Sequence, residues 1–365
     1  MRIAQISPLI ESVPPRLYGG TERIVSFLTE ELVQMGHEVT LFASGDSTTA
    51  AELVGCCSQA LRLDAKVTDT VPYYMLMLDR VRRQADEFDI LHFHIDAYHF
   101  PLFRTMAGRT VTTLHGRQDL VEVKPLYAGF PEMPLVSISD YQRKPVSHAN
   151  FAATVYHGMP THLHKPNFNP GGNYLAFLGR ISPEKRPDRA IRIARAAGIP
   201  LKIAAKVDKE DQDYFRAKIE PLINEGDGVE YIGEINERQK GPFLANALGL
   251  LFPIDWPEPF GLVMIEAMAC GTPVLAFRCG SVPEIVEDGV TGRIVDTEEE
   301  AVKVLPSMLS LDRRGVRRRF EERFSASRMA KSYLALYRSL LRQPGMASAE
   351  VGRRASPSVF EESMN

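Results

Sequence analysis

The chain is predicted to fold as two α/β units, each a Rossmann-like, doubly wound parallel sheet, facing one another across a cleft. Three observations predict this. Strand-like and helix-like periodicities alternate along almost the whole sequence. The alternation breaks once, near residue 160. A chain of 365 residues also exceeds what a single hydrophobic core usually supports.

Arg2–Ser7 reads as a short buried strand, followed by a Pro/Gly-rich loop to Gly20. The next segment places Ile24, Phe27, Leu28, Leu32 and Met35 at helical spacing, with Thr21 able to cap it and Gly36 able to end it. Strand signals return at His37–Ala43, Ile90–His94 and Thr110–Leu114, and helices between successive strands imply parallel pairing. Between Tyr156 and Gly172 the run HGMPTHLHKPNFNPGG, with three prolines and three glycines, reads as a linker.

The alternation then repeats. Strands are expected at Tyr174–Leu178, Leu201–Ala205, Val229–Ile232, Gly249–Pro253, Pro273–Phe277 and Gly292–Val295. Helices are expected at Pro187–Ala197, Asp211–Asn224, Glu237–Ala247, Gly261–Ala269, Val282–Val286 and Ser327–Arg342. The expected domains are residues 1–160 and 161–342, with a Ser/Gly/Pro-rich, charged and disordered tail at 343–365.

A net charge of −3 and a pI near 6.3 give no general field for nucleic acid or anionic lipid. Cys56, Cys57, Cys270 and Cys279 have neither the spacing of a secreted disulfide framework nor a zinc-type CxxC pair, which fits a reducing cytoplasm. No signal peptide and no apolar run of the roughly 20 residues that span a bilayer is recognised.

The strongest chemical signal is Trp256-Pro-Glu258-Pro-Phe260-Gly261-Leu262-Val-Met-Ile-Glu266, which sets two carboxylates eight residues apart across a strand-to-helix turn. Phe260, Gly261 and Leu262 stand where the helix begins, so their free N–H groups and the helix dipole suit an anion. Gly179-Arg180-Ile-Ser-Pro-Glu-Lys185 follows a strand, at the edge where doubly wound sheets bind ligands, and its cations suit phosphate. Leu17-Tyr18-Gly19-Gly20-Thr21-Glu22 opens the first helix with paired glycines that allow close approach, though it is not GxGxxG.

From YGGTER through LGRISPEKRP to EPFGLVMIEAMACGTPV and GSVPEIVEDGVTGRIVD, the chain resembles the retaining GT-B-fold glycosyltransferases of family 4, the glycosyl transferases group 1. The resemblance implies transfer of a hexose from a nucleoside-diphosphate sugar, UDP- rather than GDP-linked, to an acceptor hydroxyl. The acceptor would be a saccharide, a lipid-linked molecule or another small molecule. It implies that Arg180 and Lys185 bind the diphosphate, Glu266 the ribose and Glu258 the transferred sugar. Gly19 and Gly20 would line the donor phosphate and acceptor side, and His115 would face the reacting sugar. His157-Gly158 stands where many relatives carry Asn-Gly. No cofactor is implied beyond the sugar nucleotide.

Two rivals share the scaffold, a sugar-nucleotide epimerase and a non-catalytic sugar-nucleotide-binding protein; Glu258, Lys185 and His115 together speak against the second. His92, His94, Asp96 and His99 could be read as a metal cluster and Asp211-Gln-Asp213 as a metal-binding DxD, but no metal is expected and Asp211 and Asp213 are expected to face solvent. The run Arg313, Arg314, Arg317, Arg318 and Arg319 is expected to be a solvated helix face, with peripheral contact to anionic lipid as the alternative.

Overall fold

The computed structural model describes residues 1–16, 19–226 and 228–342. Leu17 and Tyr18 of the glycine-rich opening and the 343–365 tail therefore lie outside the described residues. Two parallel sheets are present. The first holds seven strands in the order β3-β2-β1-β4-β5-β6-β7 and the second six in the order β10-β9-β8-β11-β12-β13.

In the first sheet β1 (Arg2–Ile6), β2 (Glu38–Ala43), β4 (Ile90–Phe93) and β5 (Thr110–Thr113) match the expected segments. The flanking strands β3 (Glu52–Gly55), β6 (Leu135–Ser137) and β7 (Phe151–Thr154) fall outside the expected segments. The second sheet consists of β8 (Leu175–Arg180), β9 (Leu201–Lys206), β10 (Val229–Gly233), β11 (Gly249–Phe252), β12 (Val274–Phe277) and β13 (Gly292–Val295). Strand order reverses at β1/β4 in one sheet and at β8/β11 in the other. The crevice beyond the carboxyl ends of such strands is where ligands bind in this architecture.

The segment expected as a single helix over Asp211–Asn224 is a 3₁₀ turn, a short α-turn, a wide π-turn at Phe215–Ile219 and an α-turn at Glu220–Asn224. Pro221 lies just past the π-turn; it has no N–H to donate and its ring crowds the carbonyl four residues back, so the regular ladder cannot run through it.

The chain passes between the two sheets twice. The first passage is the linker and the second follows helix Arg313–Phe324, where Met159 bridges Ser325. At Gly158 a side chain would sit 2.3 Å from the Ser325 carbonyl oxygen, so glycine lets the two passages touch. The last helix, Ala326–Arg342, then lies on the first sheet rather than the second. Its Met329, Ala330, Tyr333 and Tyr337 pack with Ile3, Ile24, Ile90 and Val111. Its apolar periodicity was legible in the sequence, but which sheet it would cover was not.

The arginine run departs from expectation. Arg313 and Arg317 are buried. Arg313 donates to the carbonyls of Asn167, Ala245 and Ala247 and to Thr272, at 2.7–3.0 Å. Arg317 donates to the carbonyls of Thr161, His164 and Ala269. These carbonyls include the last turns of helices Glu237–Asn246 and Leu262–Ala269, where backbone acceptors are unpaired and a cation complements the dipole. Arg318 remains exposed, while Arg319 pairs with Glu287 and Glu322.

Candidate functional site

A cleft of about 520 Å³ lies between the sheets at the carboxyl ends of β1, β8 and β11. Gly19, Gly20, His115, Arg180, Lys185, Glu258, Phe260, Gly261, Leu262 and Glu266 all line it. Gly20 opens helix Gly20–Gln34, and a side chain there would lie 3.5 Å from Leu262, so the two units meet at this point.

On the second sheet's side, Gly261 adopts a left-handed conformation at φ 81° and caps helix Leu262–Ala269. That positive φ is strained for any residue with a side chain, so the backbone here favours glycine. The turn brings Gly261, Leu262 and Val263, the start of that helix, to the cleft wall with no side chain capping them. Lys185, in the 3₁₀ turn after β8, forms an ion pair with Glu258, which also accepts from the Trp256 indole at 3.0 Å. The Lys185 ammonium stands 4.5 Å from the centre of the Trp256 ring.

Arg180, at the end of β8, is bracketed by Glu184 at 2.6 Å, Asp208 at 3.5 Å and Asp211 at 3.7 Å. Asp211 thus turns inward to Arg180, contrary to the solvent-facing expectation, while Asp213 is exposed. Burial raises the Asp211 pKa, with Arg180 opposing.

Glu266 is buried and bonded by Lys240 at 2.9 Å. Burial disfavours its ionisation, but Lys240 and Arg23 outweigh that and its pKa is lowered. Arg23, in the first turn of helix Gly20–Gln34, forms an ion pair across the cleft with Glu237. Periodicity could not single out Arg23, Glu237 and Lys240, since each is an ordinary charged residue of an amphipathic helix until the two units face one another. His164, Glu237 and Glu266 hold candidate ligand atoms within 4.8 Å of one another. Arg23 and Lys240 already occupy those carboxylates, and their charges disfavour a metal cation there.

On the first sheet's side, His115 follows β5. Its Nε2 lies 2.9 Å from His94 Nδ1, and its ring stacks on His157 at 5.2 Å. Burial lowers the His115 pKa to about 3 and holds His92, His94, His99 and His157 well below the usual histidine range. His92 bonds Thr113 and Tyr337, both at 2.7 Å; His94 bonds Gln5 at 2.8 Å; His99 bonds Thr112 at 2.9 Å. These histidines, which could be read as a metal cluster, are divided between the two faces of the sheet: His92 and His94 lie on the face of Thr113, while His99 bonds Thr112 and stacks on Phe93 on the other. Glu11 and Glu22 are also buried on this side, and burial raises both carboxyls.

A family profile described as Glycosyl transferases group 1 matches residues 159–325, and one described as Glycosyltransferase Family 4 matches residues 18–191. The D-inositol 3-phosphate glycosyltransferase of Saccharomonospora viridis is 32% identical over 187 residues, covering 46% of this chain and 43% of that protein. The chain spans about half the length of the curated relatives it matches. AviGT4, a glycosyltransferase involved in avilamycin A biosynthesis, superposes with a TM-score of 0.71 at 24% identity, over 93% of this chain and 98% of that one. The Anabaena Alr3699/HepE protein in complex with UDP-glucose superposes with a TM-score of 0.69 at 16% identity, over 93% and 100%. At these identities the structural likeness establishes the GT-B fold. Among the described residues no helix is long and apolar enough to cross a membrane.

Proposed function

We propose that this chain, which belongs to the glycosyltransferases of group 1 and family 4, transfers a hexose from a UDP-sugar to an acceptor hydroxyl with retention of configuration. One observation carries the reading. A single cleft gathers two cations, a helix amino terminus, a buried carboxylate and an enclosed histidine at the switch points of both sheets.

The chemistry follows from the charges. As the bond between the sugar C1 and the leaving phosphate oxygen breaks, negative charge grows on the diphosphate. Arg180, Lys185 and the N–H groups after Gly261 stabilise that charge. The diphosphate competes for these cations with Glu184, Asp208 and Glu258, which hold them in the structure. Glu266 accepts from the ribose hydroxyls, and Glu258 and His115 meet the sugar. The acceptor oxygen bonds to C1 on the face the diphosphate leaves, and its proton passes to the departing phosphate oxygen. The base assignment draws on the UDP-glucose held by the Anabaena neighbour. In this reading the fixed cations take the place of a divalent ion, so turnover should persist in excess EDTA; complete loss restored by manganese would contradict that.

Incubation with labelled UDP- and GDP-hexoses and a panel of saccharide acceptors tests the reading. UDP release with a product of unchanged anomeric configuration is expected. Release from GDP-sugars alone would overturn the base, an inverted product the stereochemistry, and sugar interconversion without acceptor the transferase assignment.

A further inference from the structure

A continuous chain of buried polar groups runs from the last helix to the cleft. Period-two alternation puts Gln5 on β1, His92 and His94 on and just past β4, and Thr113 and His115 on and just past β5 on one sheet face. That face is covered by helix Ala326–Arg342, whose Tyr333 hydroxyl lies 2.8 Å from Thr113 Oγ1 and whose Tyr337 hydroxyl lies 2.7 Å from His92 Nδ1. His92 Nε2 reaches Thr113 Oγ1 at 2.7 Å. The Gln5 amide nitrogen lies 3.4 Å from both Tyr337 and His92, and its oxygen lies 2.8 Å from His94 Nε2. His94 Nδ1 then meets His115 Nε2 at 2.9 Å. At the cleft end, His115 Nδ1 is buried and has no hydrogen-bond partner among the described residues, and the same holds for Nδ1 of the His157 ring stacked on it.

The amide of Gln5 gives this chain a direction. Its oxygen can only accept, so His94 carries its proton on Nε2 and presents a bare Nδ1. Nε2 of His115 must therefore donate to it. A neutral imidazole with Nε2–H has its lone pair on Nδ1, the nitrogen that has no partner among the described residues. On its other side the Gln5 NH₂ donates to Tyr337, Tyr337 donates to His92 Nδ1, and His92 Nε2–H donates to Thr113. Turning this one amide over would reverse every bond in the chain, and His115 would then present a donor.

We infer that Gln5 is a positioning residue that, through His94, fixes His115 as the tautomer protonated on Nε2, so that its Nδ1 accepts a hydrogen bond from a hydroxyl of the cleft's ligand. The inference rests on the sugar-facing place given to His115 above, and it adds what that place selects: a ligand group that donates. A buried nitrogen left without a partner is costly, so a ligand hydroxyl satisfying it adds discrimination against a sugar lacking that hydroxyl.

The test is the tautomer itself. In the full chain labelled with ¹⁵N-histidine, long-range ¹H–¹⁵N correlations, with His115 assigned by its loss in His115→Ala, should show a single neutral form protonated on Nε2. A proton on Nδ1 overturns the inference whether or not the protein transfers sugar, so failure of the transferase reading stays distinguishable. Gln5→Met, close in size but without the strong acceptor, should give mixed His115 tautomers. It should also lower kcat/KM for the sugar donor by about twofold, in proportion to the tautomer fraction lost and less than the loss in His115→Ala, with UDP affinity unchanged. Gln5→Glu, which again offers an acceptor to His94, should restore the single tautomer. An unaltered His115 tautomer in Gln5→Met would also overturn the role given to Gln5.

Discussion

On the second sheet's side of the cleft, Arg180, Lys185 and Lys240 stand in contact with Glu184, Glu258 and Glu266; on the first sheet's side, His94, His115 and His157 form an enclosed layer of neutral rings. The difference lies in what each side can exchange. The ion pairs of Arg180 can trade one anion for another at small net cost, because the cation keeps a partner and the displaced Glu184 and Asp208 are partly exposed and can turn to water. A buried neutral chain fixes where its heavy atoms sit, because displacing any one ring or amide leaves polar atoms unpaired. Charge-compensated flexibility suits a diphosphate whose charge changes during reaction, and a fixed array of neutral donors and acceptors suits a sugar.

The largest expected effect is on turnover. Lys185→Ala removes a preorganised cation at the leaving group and should lower kcat by about 10²–10³-fold with the fold retained, while the melting temperature falls because the buried Glu258 loses its ion-pair partner. Unchanged kinetics would take the leaving-group role from that loop.

Acid should then separate the halves. His92, His94, His99, His115 and His157 have folded pKa values below the unfolded value, so the unfolded chain binds more protons once pH falls below about 6.5. Their contribution is complete above that pH and is lost as pH falls toward the folded values, at up to about 1.4 kcal/mol per histidine per pH unit. Glu266 has a lowered carboxylate pKa, so its contribution is complete above the unfolded carboxylate value of about 4.3 and is lost only below it. Hydrogen exchange followed from pH 7 to pH 4 should therefore show β1, β4 and β5 losing protection before β8, β11 and β12. The reverse order would mean that the histidine layer is not what makes the first half acid-sensitive.

A smaller effect is expected at His115. His115→Ala removes one neutral contact to the sugar and should lower turnover by about tenfold.

The alternation that builds both sheets was legible in the residues, as were the Gly179–Lys185 and Trp256–Glu266 segments, because strand-to-helix turns carry local signatures in glycine, proline and charge. The outer strands of the first sheet were not; the two at its edges, Glu52–Gly55 and Phe151–Thr154, are mostly exposed or half-buried and so lack the continuous apolar run that marks the equally short inner strands. Arg313 and Arg317 read as solvent-facing because a helix rich in arginine has no local mark of burial; their role depends on backbone carbonyls between Thr161 and Ala269 and the Thr272 hydroxyl arriving at the same place. Gln5 was equally silent. One glutamine in a buried strand gains its meaning only when β4 and the last helix bring histidines and tyrosines to its amide.

Titration calorimetry of UDP into the wild-type protein and His115→Ala tests the division of labour most directly. If the charged side holds the nucleotide and the neutral side reads the sugar, the two proteins bind UDP with the same affinity. A collapse of UDP affinity in His115→Ala would place the nucleotide on the first sheet and contradict the account.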